Sequence, residues 1–310
     1  MMKKIFAVIL TVFLLLIHTS IFAISTDQAK EPVSIAEPCD LTLEYSSEGK
    51  GFAELTVELY QVAEMTSDIQ FIPSDDFKAA SLKLNGITSQ SEWNTMRTTI
   101  ESFVAANGVK PLRTAVINEN GRVTFEGLKS GLYYVPSKAL TSDGFRYYFQ
   151  SVLVSLPDLD AEGAWNYAPT VKPKPDVRPP SSDDLEYSVI KLWKGSGDND
   201  RPRSVAVDII KDMTVVKTVV LSAENNWKYT WYAEDDESVW TVAEKNIPEN
   251  YTVTVEKNQT AFSVVNTYND PDEPPPQTGD TGNIVFYAIC MCISGAVLLT
   301  LGLKRKKVEE

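Results

Sequence analysis

Tyr187-Ser-Val-Ile-Lys-Leu-Trp193, Trp240-Thr-Val-Ala-Glu244 and Phe262-Ser-Val-Val-Asn-Thr-Tyr268 are short β-branched and aromatic runs that share one irregularity. In each, apolar residues recur at every second position and one polar group takes a place in that series. Lys191 falls between Val189 and Trp193, Glu244 follows Trp240 and Val242, and Asn266 follows Phe262 and Val264. Strand side chains alternate between faces, so each polar group points where its apolar neighbours point. A lone buried Lys or Glu is costly, and three such groups in one small unit are predicted to meet. Taken singly, each reads as a solvated or hydrogen-bonded strand residue.

Working outward, Ser204–Ile210, Val215–Leu221, Trp227–Trp231, Ser238–Glu244 and Tyr251–Glu256 are runs of the same kind. Turn-forming stretches such as Gly195-Ser-Gly-Asp-Asn-Asp200, Glu224-Asn-Asn226 and Pro248-Glu-Asn250 separate them. Seven short strands within 184–269 predict an Ig-like sandwich. Upstream, Pro169, Pro173, Pro175, Pro179 and Pro180 crowd a short stretch, and residues 171–183 read as a semi-rigid proline-rich linker. Before that linker, residues 40–170 form another β-rich unit, with strands expected at Leu41–Tyr45, Ala53–Val62, Arg122–Phe125, Leu132–Val135, Tyr147–Ser155 and Trp165–Val171. One amphipathic helix is expected near Ser91–Asn107, with Trp93, Met96, Ile100, Phe103 and Val104 on one face as core. The fold class expected is therefore mainly β, two sandwich domains in tandem, the first with an inserted helix.

The 310 residues carry a net charge of −13, and the excess is larger once the basic termini are set aside. A body that acidic repels phosphate backbones, so no nucleic-acid partner is expected. The only histidine, His18, lies in the N-terminal apolar run, which removes the commonest general base. No paired cysteines and no convincing metal cluster are present either. Asp198-Asn-Asp200 and Glu234-Asp-Asp-Glu237 read as solvated turn charges and match no EF-hand spacing. The chain is expected not to be an enzyme, to take no cofactor and to hold no metal.

The ends carry targeting signals. Residues 1–23 have a charged start, an apolar core from Ile5 to Ile17 and Ala23 at the end, the pattern of a secretory signal peptide. Ile284 to Leu303 gives 20 residues without a charge; as a helix these would span roughly 30 Å, one hydrocarbon core. Lys304-Arg305-Lys306-Lys307 begins the tail 304–310, and a basic cluster stays in the cytoplasm, which places the body of the protein outside. Cys290 and Cys292 fall in the span, leaving Cys39 alone in the body, where it reads as an incidental thiol in a flexible N-terminal stretch.

Three resemblances build on these residues. Within the spacer 270–282, Pro275-Pro276-Gln277-Thr278-Gly279, followed by the apolar span and basic tail, resembles the sortase sorting signal of Gram-positive surface proteins. That implies cleavage at Thr278–Gly279 by a housekeeping or pilus sortase and transfer to a peptidoglycan precursor. Pro275 stands where the family usually has Leu. Second, Lys191-Leu-Trp193, Arg201-Pro-Arg-Ser-Val205, Leu221-Ser-Ala-Glu-Asn-Asn-Trp227, Trp240-Thr-Val-Ala-Glu244, Pro248-Glu-Asn-Tyr-Thr-Val253 and Val265-Asn-Thr-Tyr268 are similar in order to a collagen-adhesin (Cna) B-type domain. The resemblance implies a self-catalysed isopeptide bond between Lys191 and Asn266, with Glu244 as helper. Third, and more loosely, Gly121-Arg-Val-Thr-Phe-Glu-Gly-Leu-Lys-Ser-Gly-Leu-Tyr133 and Leu153-Val-Ser-Leu-Pro157 with Trp165-Asn-Tyr167 resemble the N-terminal domain of pilin-type proteins.

The first unit offers no matching lysine in Leu41–Tyr45, and Pro136-Ser137 stands where the family often places Glu; no isopeptide bond is expected there. Val171-Lys-Pro-Lys174 resembles the pilin motif, which would make Lys174 a polymerisation nucleophile; Lys174 also reads as a solvated linker lysine. The function expected is a cell-wall-anchored adhesin or display stalk that meets a host or bacterial surface ligand. The alternative is a subunit or tip of a sortase-assembled pilus.

Overall fold

The computed structural model describes residues 31–179, 184–197, 201–236 and 238–269. The expected signal peptide, sorting signal, apolar span and basic tail lie outside the described residues, as does Asp198-Asn-Asp200.

The first domain is organised around Thr56–Met65, a ten-residue strand long enough to serve two neighbours on one edge. Its start pairs with Arg113–Val116 and its end with Phe71–Pro73 and Gly131–Val135, and Val152–Leu156 extends the sheet beyond Gly131–Val135. Gly131–Val135 is buried along its whole length because both of its faces are covered. Leu132 and Tyr134 face a core shared with Trp93, Met96, Ile100 and Val104 of the helix Gln90–Asn107. Tyr133 and Val135 face a second core with Leu41, Leu43 and Phe125, contributed by Cys39–Glu44 and Arg122–Leu128. The helix is stopped at both ends by local chemistry. The Ser89 hydroxyl accepts from the Glu92 N–H at 3.2 Å, the Glu92 carboxylate accepts from the Ser89 N–H at 3.1 Å, and Gly108 takes the left-handed C-cap conformation at φ 58°.

Two of the expected strands divide. Tyr147–Ser155 becomes Phe145–Phe149 and Val152–Leu156, in different sheets, because Gln150 and Ser151 direct their N–H groups to the Lys174 carbonyl and the Ser137 hydroxyl. Trp165–Val171 becomes Trp165–Asn166 and Thr170–Val171, divided around Pro169, which has no N–H to give a ladder. Cys39 is fully buried at the start of the first strand rather than lying in a flexible stretch.

Part of the stretch read as a linker is built into the first domain. Pro175–Arg178 pairs antiparallel with Phe145–Phe149, with Pro175 at the strand's first residue, where a missing donor costs least.

All seven expected strands of the second domain are present, in two sheets. One runs Lys228–Glu234, Asp184–Lys194, Ala261–Tyr268, Tyr251–Asn258; the other runs Thr214–Ser222, Ser204–Lys211, Trp240–Glu244. The first and last strands are parallel neighbours, with Lys191 beside Val264 and Trp193 beside Asn266. Val189, Val207, Ile209, Leu221, Val242, Phe262 and Val264 form the core between the sheets.

The two domains pack together along the helix. Ser102 and Thr241 share a buried hydroxyl–hydroxyl bond of 2.9 Å, the Val255 N–H donates to the Thr99 hydroxyl at 2.9 Å, and Ala105 packs on Ile210 and Ala243. Beside them, Arg146 pairs with Asp235 at 3.2 Å and the Tyr148 hydroxyl donates to the Asp236 carbonyl.

Candidate functional site

Lys191, Glu244 and Asn266 meet in the core of the second domain. Their positions follow from strand alternation, and the side chains of Lys191 and Glu244 are wholly screened from solvent, as is Asn266. Lys191 and Asn266 come from adjacent parallel strands of one sheet, and Glu244 comes from the facing sheet. The Lys191 ammonium donates to the carbonyls of Leu192 at 3.0 Å and Val264 at 3.3 Å, and lies 4.2 Å from the centre of the Trp193 ring.

Glu244 touches both partners, one through each oxygen. Its Oε1 accepts from Asn266 Nδ2 at 3.0 Å, and its Oε2 lies 3.5 Å from Lys191 Nζ. The Asn266 carbonyl oxygen is buried with no hydrogen-bond partner. Burial lowers the Lys191 pKa to about 8, against an opposing pull from Glu244. Burial likewise pushes the Glu244 carboxyl up, against the opposing influence of Lys191 and of the Asn266 amide. Both shifts favour the neutral forms, an amine and a carboxylic acid, because a dry interior penalises charge.

The remaining expected site residues are elsewhere. Lys174 is exposed on the first domain, beside a groove of about 270 Å³ lined by Trp93, Asn94, Val152, Leu153 and Pro173. Pro275, Pro276, Gln277, Thr278 and Gly279 lie outside the described residues.

Sequence reasoning missed the helix residues behind Glu244. Thr241 and Ala243 alternate with Trp240, Val242 and Glu244 and so occupy the outer sheet face, yet they too are buried, under Ser102 and Ala105. The legible signal was the strand itself, whose outward positions carry no charge.

The profile of the Cna protein B-type domain matches residues 187–267. No curated protein matches the chain. Among solved structures, a single B repeat unit of the collagen-binding surface protein of Staphylococcus aureus is 17% identical, covering 75% of this chain and all of that one, with a TM-score of 0.26. The full-length major pilin SpaD of Corynebacterium diphtheriae is 14% identical, with 76% and 65% covered and a TM-score of 0.30. The minor pilin GBS52 of Streptococcus agalactiae is 14% identical, with 76% and 99% covered and a TM-score of 0.22. With its seven strands in two sheets and its profile match, the segment from 187 to 267 is a Cna B-type domain.

Proposed function

We propose that this chain is a wall-anchored surface protein of a Gram-positive bacterium, an adhesin or display stalk, whose B-type domain locks itself with a Lys191–Asn266 isopeptide bond. The observation that carries the reading is the two-sided contact of Glu244, one carboxyl oxygen at the nucleophile and the other at the leaving group. The neutral Lys191 Nζ attacks Asn266 Cγ, forming Nζ–Cγ, and the Cγ–Nδ2 bond breaks. Glu244 gives its proton to the departing Nδ2 and recovers one from Nζ, so the net products are an amide and ammonia. Glu244 is thus a shuttle restored at each end of the step. Nothing in this chemistry turns over, and the bond it makes is structural.

The reactive state holds one proton on the Lys191–Glu244 pair, and this sets a pH profile. Cross-linking should be fastest between the raised Glu244 pKa and the Lys191 value of about 8. At higher pH the pair loses its shared proton and Glu244 has none to give; at lower pH Lys191 is held as ammonium beside a protonated acid. Intact mass of the full chain followed against time after synthesis, from pH 4 to 10, checks this. A rate that climbs steadily through pH 8 to 10 would contradict the shuttle.

Anchoring rests on Pro275–Gly279, with a sortase and the peptidoglycan precursor as partners and a host or bacterial surface molecule as ligand. Thr278→Ala should move the protein from the wall fraction to the membrane or medium. A second reading, a pilus subunit, is favoured by the exposure of Lys174 beside its groove. The same wall extracts decide between them. A single band is expected; a detergent-resistant ladder that vanishes in Lys174→Ala would establish the pilus instead.

A further inference from the structure

The three reacting residues are not held equally. Lys191 lies on Asp184–Lys194 and Asn266 on Ala261–Tyr268, and both strands are interior, laddered on each side. Glu244 lies on Trp240–Glu244, an edge strand laddered on one side only, to Ser204–Lys211. The nucleophile and electrophile are therefore fixed by their own sheet. The acid, which must keep hydrogen-bond reach of both nitrogens to move a proton, has the weakest local support.

That support comes from the other domain. The helix Gln90–Asn107 lies across the seam where the two sheets leave the edges Trp240–Glu244 and Tyr251–Asn258. On one edge Thr99 accepts the Val255 N–H at 2.9 Å; on the other Ser102 bonds Thr241 at 2.9 Å and Ala105 covers Ala243, the residue before Glu244. Ser102 and Thr241 are 2% and 4% exposed, so water does not compete for this bond. Because Ala105 and Ser102 are small, the helix approaches closely enough to fix the strand rather than merely shield it. Alternation then transmits the fixed position of Thr241 and Ala243 to the inward side chain of Glu244.

We infer that docking of the first domain's helix completes the cross-linking site, with Ser102, Ala105 and Thr241 acting as positioning residues for Glu244. This rests on the isopeptide reading above. It orders the events: the first domain folds, its helix seats, and the bond then closes. A B-type domain whose first domain is not seated would close more slowly, so the covalent lock would form first in correctly assembled chains.

The test is a pulse-chase of the full chain, with cross-linked and open forms separated by gel mobility and confirmed by intact mass. Ala105→Arg should unseat the helix, which small-angle X-ray scattering reports as a larger radius of gyration. It should slow bond formation by ~10–100-fold, the scale set by misplacing one reacting group. Thr241→Val, which keeps shape but removes the hydroxyl bond, should slow closure by less, and Thr241→Ser should restore the wild-type rate while leaving the lost methyl unreplaced. Should Ala105→Arg fail to fold, Ser102→Ala combined with Thr99→Val loosens the same contacts without adding bulk, and the same slowing is expected. Closure at the wild-type rate in chains shown to be unseated overturns this inference alone. A wild-type chain that never closes overturns the isopeptide reading and this inference with it.

Discussion

Lys191→Met is expected to melt roughly 10–20 °C below the wild-type chain and to become sensitive to protease in its second domain. The bond would close a loop of about 76 residues, from the first strand of that domain to its last. By analogy with disulfide loop entropy, such a closure contributes about 4–5 kcal/mol, and about 2–4 °C accompanies each kcal/mol in a body of this size. Methionine keeps the length of the lysine stem and its place against Trp193 while removing both the nucleophile and the buried charge, so packing loss adds little. Lys194→Met, three positions along the same strand but exposed, should leave both properties unchanged. Differential scanning calorimetry of the two variants checks the contrast; equal melting temperatures would show that no covalent closure at Lys191 supports the domain.

The mechanical consequence follows from the topology. Force applied across the second domain enters at Asp184–Lys194 and leaves at Ala261–Tyr268, which are parallel neighbours. Pulling such a pair apart along its length loads all its ladder bonds together, and a covalent bond from Lys191 to Asn266 would carry that load without any strand peeling away.

How much of this was legible in the sequence differs from element to element. The seven strands of the second domain were, because β-branched and aromatic runs separated by turn residues carry their own signal. So was the triad, since Lys191, Glu244 and Asn266 interrupt three apolar series in the same phase. The helix was legible on one face only. Trp93, Met96, Ile100 and Val104 mark the face toward the first domain's core by size and period. The other buried face is built from Thr98, Thr99, Ser102 and Ala105, small residues that add nothing to an apolar period. These residues can be buried because they satisfy themselves. The hydroxyls of Thr98, Thr99 and Ser102 donate to the carbonyls of Asn94, Thr95 and Thr98 at 3.1, 2.8 and 2.9 Å, leaving small, quiet side chains against the neighbouring sheet. Hydrophobic periodicity does not see such a face.

The proline-rich stretch misled for a related reason. Five prolines and intervening charges do favour an extended backbone, but an extended backbone is also what an edge strand needs. Pro175–Arg178 uses it to pair with Phe145–Phe149, and Arg178 lies over the Tyr148 ring at 5.3 Å while pairing with Asp176 at 2.6 Å. For Pro175–Arg178 the composition gave an extended backbone and said nothing of its partner, which lies some thirty residues upstream.

The most direct test of the account is the intact mass of the purified mature chain. The wild type should weigh one ammonia less than its sequence, and a proteolytic digest should contain one branched peptide joining the Lys191 and Asn266 segments. Glu244→Ala and Lys191→Met should each restore the full sequence mass, the first because the proton shuttle is gone and the second because the nucleophile is. A wild-type mass equal to the sequence, with Lys191 and Asn266 recovered on separate unmodified peptides, would contradict it.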